Sequence, residues 1–183
     1  MRRATVIGVA VVALATAYAS AKQGAPRPGP PPRLGLGRAA TAAEIKAWDI
    51  DVMPDGEGLP PGSGTPAGGA KIYARKCAAC HGPSGTEGPF DRLVGRDQAL
   101  VRTIGNYWPY ATTVYDYVQR AMPLSAPGSL TPDEVYSLVA YLLWRNEIIA
   151  ETAVIDARTL PRVVMPARDR FVVDDRRGGP EIR

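Results

Sequence analysis

The chain has 183 residues, 22 Lys and Arg against 18 Asp and Glu, and only two cysteines and one histidine. Of its formal charge of +4, Arg2 and Arg3 supply two units in a leader-like segment, and no basic stripe interleaved with aromatics follows; nucleic-acid binding is therefore not expected. Residues 1–21 have the layout of an export signal. Arg2 and Arg3 form a basic start, an apolar run extends from Ala4 to Ala17, and small residues then offer cleavage near Ala19 or Ala21. The run is short for a membrane span of about 20 residues, so a membrane association is expected only if this signal stays uncleaved. A periplasmic location follows from the reading.

Residues 22–40 carry Pro26, Pro28, Pro30, Pro31 and Pro32 almost in succession and are expected to be an extended linker. Thr41-Ala42-Ala43-Glu44 has the form of a capping box and predicts a short helix to Trp48. Residues 49–64 return to Pro and Gly and complete an N-terminal arm over 22–64.

A compact domain is expected over 65–149. Thr65 as N-cap and Pro66 at the first helical position open its first helix, which continues through Gly69, Ile72, Tyr73 and Lys76. Gly68 and Gly69 are poor helix formers and predict a close approach by another helix. The helix leads into Cys77-Ala78-Ala79-Cys80-His81. This spacing reads as a covalent attachment site for one c-type haem: Cys77 and Cys80 lie one turn apart, within reach of both vinyl groups of a porphyrin, and His81 can bind the iron. A structural zinc site would need a fourth ligand that no other Cys or His can provide. A dithiol redox pair would expect a strand–helix setting, whereas the flanks here are helical and Gly-rich.

Gly82, Pro83, Gly85, Gly88, Pro89 and Gly95 then mark a loop. A carbonyl of Gly88-Pro89 is the expected acceptor for His81 Nδ1–H, the bond that sets ring orientation. Arg102, Tyr107, Trp108 and Tyr110 are candidates for packing on haem and pairing with its propionates, or equally for ordinary packing. A second helix is expected over 112–120. With no second histidine, a methionine sulfur is the expected sixth iron ligand. Met122, before Pro123 and 41 residues after His81, is the leading candidate; Met165 and Met53 are the alternatives. The last helix is the plainest: Thr131-Pro132-Asp133-Glu134 combines N-cap, N1 proline and capping-box Glu, and Val135, Leu138, Val139, Leu142 and Leu143 form one apolar face. A domain of about 80 residues with long loops is marginal on its own side chains, so the polypeptide is expected to need its haem to fold. Residues 150–183 form a C-terminal arm whose apolar residues Val154, Leu160, Val164 and Phe171, like Trp48 and Ile50 in the N-terminal arm, are expected to dock on something.

Together, a helix entering C-x-x-C-H, a Gly-Pro loop, a Met-Pro loop and a last helix carrying Tyr141 resemble class I cytochromes c. The resemblance implies an all-α fold with helices packed around one covalent haem, and a crossing of the first and last helices at Gly69 and Tyr73 against the Leu138–Tyr141 face. A narrower resemblance rests on Ala47-Trp48-Asp49-Ile50-Asp51-Val52, Gly58-Leu59-Pro60-Pro61-Gly62-Ser63-Gly64, Thr103-Ile104-Gly105-Asn106-Tyr107-Trp108-Pro109-Tyr110, Arg120-Ala121-Met122-Pro123 and Asp133-Glu134-Val135-Tyr136. These are similar to the cytochrome c subunits of bacterial sulfite and sulfane dehydrogenases. That similarity implies Met122 as the axial ligand. It also implies a molybdenum-cofactor subunit that oxidises the sulfur substrate, and a downstream cytochrome or oxidase. The chain would then be an electron-transfer subunit and not a catalyst on its own. A free periplasmic shuttle, and a haem enzyme or gas sensor with an open distal site, are the alternatives.

Overall fold

The computed structural model describes residues 35–97 and 101–172; the predicted signal over 1–21 and the proline-dense part of the linker up to residue 34 lie outside them. The chain separates into two compact units, residues 1–41 and 42–183. In the described part of the first, the Arg38 guanidinium donates to the Ala39 carbonyl at 3.1 Å. All helices and strands named below belong to the second.

Helix α1, Ala42–Trp48, occupies the span expected after Thr41 and buries none of its residues. From Ile50 to Pro54 the chain, outside any helix or strand, lies against a later helix, α5 (Ala111–Ala121). Three α5 side chains hold it. Gln119 Nε2 donates to the Ile50 carbonyl at 3.5 Å, the Val52 amide donates to Asp116 Oδ1 at 3.0 Å, and Thr112 Oγ1 donates to the Pro54 carbonyl at 3.3 Å. The match is geometric. Two residues of extended chain advance about 6.6 Å and one helical turn about 5.4 Å, so alternate backbone groups of the arm meet successive turns of the helix, running in the opposite direction. Asp116 is buried and also pairs with Arg120. Val52 is turned into the core, while Ile50 and Met53 face outward.

Strand β1, Ser63–Gly64, pairs antiparallel with β2, Ile155–Asp156, in the register Ser63↔Asp156 and Gly64↔Ile155. The two arms are thus joined by a two-residue ladder. Leu160, Met165 and Ala167 from the C-terminal arm are fully enclosed, so part of the docking expected of the arms takes place on the chain itself. Trp48, Val154, Val164 and Phe171 remain exposed.

Helix α2, Pro66–Lys76, begins as its sequence dictates: Thr65 Oγ1 accepts the Gly68 amide at 3.2 Å and Pro66 occupies the first turn. Helix α6, Pro132–Arg145, has the full capping box between Thr131 and Glu134. The two cross at Gly69, where a Cβ would stand 1.9 Å from the Ser137 carbonyl oxygen and 2.6 Å from Tyr141 Cβ. Tyr73 packs on Tyr141 with ring centroids 5.0 Å apart. The expected crossing is therefore present, with Ser137 and Tyr141 as its contact points.

The pattern on α6 predicted a single apolar face, and the structure differs. Val135 to Leu143 are buried without interruption. The helix is central, enclosed by α2, by α5 and by the β1–β2 ladder. The residues off the aliphatic stripe are amphipathic: Tyr136 buries its ring against Tyr115 (4.6 Å) and donates its hydroxyl to the Pro60 carbonyl at 2.8 Å, and Tyr141 accepts from Arg145 at 3.0 Å. Tyrosine can sit on a buried face when its hydroxyl finds a partner, and a simple apolar-stripe reading undercounts it.

Candidate functional site

Helix α2 stops at Cys77, whose backbone (φ −124°, ψ −36°) leaves helical geometry while its amide still donates to the Tyr73 carbonyl at 2.9 Å. One further turn, α3 (Ala78–His81), follows, closed by Cys80 and His81 amides on the Cys77 carbonyl at 3.1 and 3.0 Å. Both thiols are free, Cys77 half-buried and Cys80 exposed. Burial pushes the Cys77 thiol up to about 11, opposed by Lys76 and assisted by Cys80. Redox-active dithiols carry the opposite signature, a thiol pushed down by neighbouring positive charge. Among the described residues no group of three or more His, Cys, Asp and Glu is arranged to hold a metal ion.

The imidazole of His81 is half-buried, and its Nδ1 lies 2.9 Å from the Asp91 carbonyl oxygen. A carbonyl only accepts, so Nδ1 carries the proton and Nε2 keeps its lone pair for a metal. The acceptor expected from Gly88-Pro89 is therefore corrected to Asp91. The reason lies in how tightly the loop returns: a Cβ on Gly88 would stand 2.1 Å from the Cys80 carbonyl oxygen, and the Phe90 amide bonds that same oxygen at 3.2 Å. The first residue past this contact whose carbonyl meets the ring is Asp91. Which carbonyl a loop presents depends on its path, and no local residue code reports it.

The loop is internally braced. The Glu87 carboxylate accepts from the Ser84 and Thr86 amides at 3.1 and 3.2 Å and from the Ser84 hydroxyl. These bonds, the Ser84 hydroxyl first, pull its carboxyl down to about 2, so the brace keeps its charge throughout the neutral range. Tyr73 donates its hydroxyl to the Gly82 carbonyl at 2.9 Å, tying α2 to the same loop.

Met122 caps α5, its amide on the Val118 carbonyl, and its side chain is half-buried against the core; the Met122–Pro123 peptide bond is cis. Met165 is 2% exposed within the core, whereas Met53 is 47% exposed in the N-terminal arm. Ile72, Ala78, Leu93, Trp108 and Met122 are apolar side chains that lie on the core yet are only partly covered. The donor set fits a covalent haem: two free thiols one turn apart, an imidazole with its tautomer fixed, a half-buried thioether and uncovered apolar surface.

Each of the four side chains Arg102, Tyr107, Trp108 and Tyr110 also has a protein partner. Arg102 stacks on Tyr107 at 4.3 Å and donates to its hydroxyl at 3.3 Å. Tyr107 meets Phe171 edge-on at 5.5 Å, Trp108 meets Tyr117 at 5.6 Å, and Arg168 lies over Tyr110 at 5.2 Å. Arg170 donates to the Asn106 carbonyl at 2.9 Å. The C-terminal arm is thus seated on this cluster. Sequence reasoning missed the short helix α4, Ile104–Tyr107, although Thr103 and Asn106 form a reciprocal capping box around it; Asn in place of Glu or Gln at its third position hid the signal.

Comparison with known proteins adds two findings. The family model described as cytochrome c oxidase, cbb3-type, subunit III, matches residues 64–142. A chain in the crystal structure of the sulfane dehydrogenase SoxCD from Paracoccus pantotrophus is 38% identical, with a TM-score of 0.69, over 82% of this chain and 86% of that chain. No curated protein matches the sequence.

Proposed function

This chain belongs to the cytochrome c family, with a haem electron-transfer role, and on that premise we propose that it is a one-haem subunit accepting single electrons from a molybdenum-cofactor sulfite or sulfane dehydrogenase and passing them to a downstream cytochrome or oxidase. One observation carries the reading. The likeness to the sulfane dehydrogenase chain covers 82% of this chain, well beyond the haem-domain match at 64–142. It therefore includes arm sequence. Part of each arm is spent on the chain's own core, but Trp48, Val154, Val164 and Phe171 stay exposed on the arms, apolar surface that a subunit seated on a larger partner can use and a freely diffusing shuttle does not need.

When bound, the haem supplies a one-electron ferric–ferrous couple. The residues have separable tasks. Cys77 and Cys80, one helical turn apart, would carry the two thioether links. His81 would bind the iron through Nε2, with Asp91 holding Nδ1–H. Met122 would supply a weak, soft sulfur donor that favours the reduced state. If His81 and Met122 both held the iron, the haem would offer electron transfer and no binding site for substrate, and the sulfur chemistry would belong to the partner. The export signal read at 1–21 would place this exchange in the periplasm.

Two measurements test the reading. The protein purified from its host is expected to carry a molybdenum-containing partner and to become reduced on addition of sulfite or a sulfane substrate; a chain that purifies alone and stays oxidised would favour the free shuttle. Met122→Ala is expected to abolish the weak far-red sulfur-to-ferric-iron band and to let ferrous protein bind carbon monoxide at once, which the parent refuses. Persistence of the band would move the sixth ligand to another residue.

A further inference from the structure

Asn146, at the C-terminal end of α6, is 1% exposed and lies far along the chain from His81, yet its side chain holds the loop that orients His81. Its Oδ1 accepts the Gly95 amide at 2.9 Å. Its Nδ2 donates to the Leu93 carbonyl at 3.1 Å and to the Leu142 carbonyl of its own helix at 2.8 Å. The amide group therefore spends both donors and an acceptor in a dry interior, where leaving any of these groups unpaired would be costly.

The clamped residues, Leu93 and Gly95, begin two positions after Asp91, whose carbonyl accepts His81 Nδ1–H at 2.9 Å. Their remaining tethers run to Gly85 and to the start of α4. The Leu93 and Val94 amides reach the Gly85 carbonyl at 2.8 and 3.2 Å, the Ile104 amide reaches the Leu93 carbonyl at 3.3 Å, and the Thr103 hydroxyl donates to the Gly95 carbonyl. Packing enforces the same clamp. A Cβ on Gly105 would stand 2.4 Å from Asn146 Oδ1 and 2.6 Å from the Gly95 carbonyl oxygen, so α4, the loop and the end of α6 meet at one point that only a glycine admits.

We propose that Asn146 is a positioning residue for the axial histidine: its buried amide fixes residues 93–95, and through them the Asp91 carbonyl that orients His81 and strengthens it as a donor. This rests on the haem reading above. A firm Nδ1–H bond gives the imidazole more anionic character, makes Nε2 a stronger donor and favours ferric iron. Slackening the loop lengthens that bond and shifts the balance toward ferrous.

The test compares two buried polar residues in the haem-loaded protein. Asn146→Ala raises the midpoint potential, shifting the ferric–ferrous ratio roughly tenfold, about 59 mV for one electron. It also accelerates exchange of the His81 Nδ1 proton as read by NMR. Thr112→Val is the structural control. Thr112 is equally buried, and its hydroxyl donates to the Pro54 carbonyl and to none of residues 91–95. It loses thermal stability and leaves the potential where it was. An unchanged potential in pigmented Asn146→Ala, or an equal shift in Thr112→Val, overturns the proposal. Should neither variant load haem, hydrogen exchange in the unaltered holoprotein decides: the Gly95 amide and the His81 Nδ1 proton open together, and a Gly95 amide that exchanges freely beside a protected His81 proton overturns it. A parent protein that carries no covalent haem would sink the haem reading instead, and mass spectrometry of the parent tells the two failures apart.

Discussion

Cys77→Ala combined with Cys80→Ala is expected to give a colourless polypeptide after acid-acetone extraction, where the parent is expected to stay coloured. The substitutions leave the local backbone its bonds, because Cys77 caps α2 through its amide and not its sulfur. What is lost is the covalent hold on a group that covers apolar surface. Ile72, Leu93, Trp108 and Met122 lie on the core only partly covered, and each buried methylene they would share with a porphyrin is worth about 0.8 kcal/mol. A domain of this size has a total stability of only about 5–15 kcal/mol. Circular dichroism should therefore show the double variant melting broadly, without the cooperative transition of the holoprotein. A sharp, native-like melt in the colourless variant would mean that side chains alone sustain the fold.

The second large effect is expected where α2 crosses α6. Gly69→Val should destabilise the holoprotein by about 3 kcal/mol or more, at the upper end of overpacking costs. A Cβ at this position collides with the Ser137 carbonyl, a backbone atom that cannot rotate away, and with Tyr141 Cβ. The helices would have to separate and lose the Tyr73–Tyr141 contact. The adjacent glycine provides the control. A Cβ on Gly68 meets side-chain atoms alone, the Ser137 and Thr65 oxygens at 3.3 and 3.4 Å and Ser137 Cβ at 3.7 Å, so Gly68→Ala should be neutral or gain up to about 1 kcal/mol from helix propensity. Denaturant titration of the two variants reads the difference directly. Equal stabilities would show that the crossing is looser than its backbone distances state.

The elements that could be read from the chain are those whose signals are local. Thr65-Pro66 and Thr131-Pro132-Asp133-Glu134 announce their helices because an N-cap hydroxyl, an N1 proline and a returning carboxylate act within a single turn. The C-x-x-C-H spacing is legible for the same reason: one helical turn sets how far apart two thiols and an imidazole can be. The paired glycines before Tyr73 foretold a close crossing, and the resemblance to class I cytochromes c pointed to Gly69 as the one that bears it. Where residues met only through chain return, the sequence was silent. The β1–β2 ladder is two residues long and carries no alternation to detect. The seating of the arm on Thr112, Asp116 and Gln119 depends on matching an extended rise to a helical pitch across some 60 residues of chain.

The sequence by itself therefore determined the C-x-x-C-H arrangement, the N-terminal caps of the two main helices and the kinship of the chain. Only the tertiary structure decided which carbonyl serves His81, that Met165 belongs to the core, that α6 is enclosed on all sides, and that Asn146 reaches the loop beside Asp91. Caps and thiol spacings are fixed within one turn of helix, where neighbours in sequence are neighbours in space. Acceptors, burial and clamps are fixed by which distant segments pack together, and that follows from the sum of all contacts and from no single stretch of the chain.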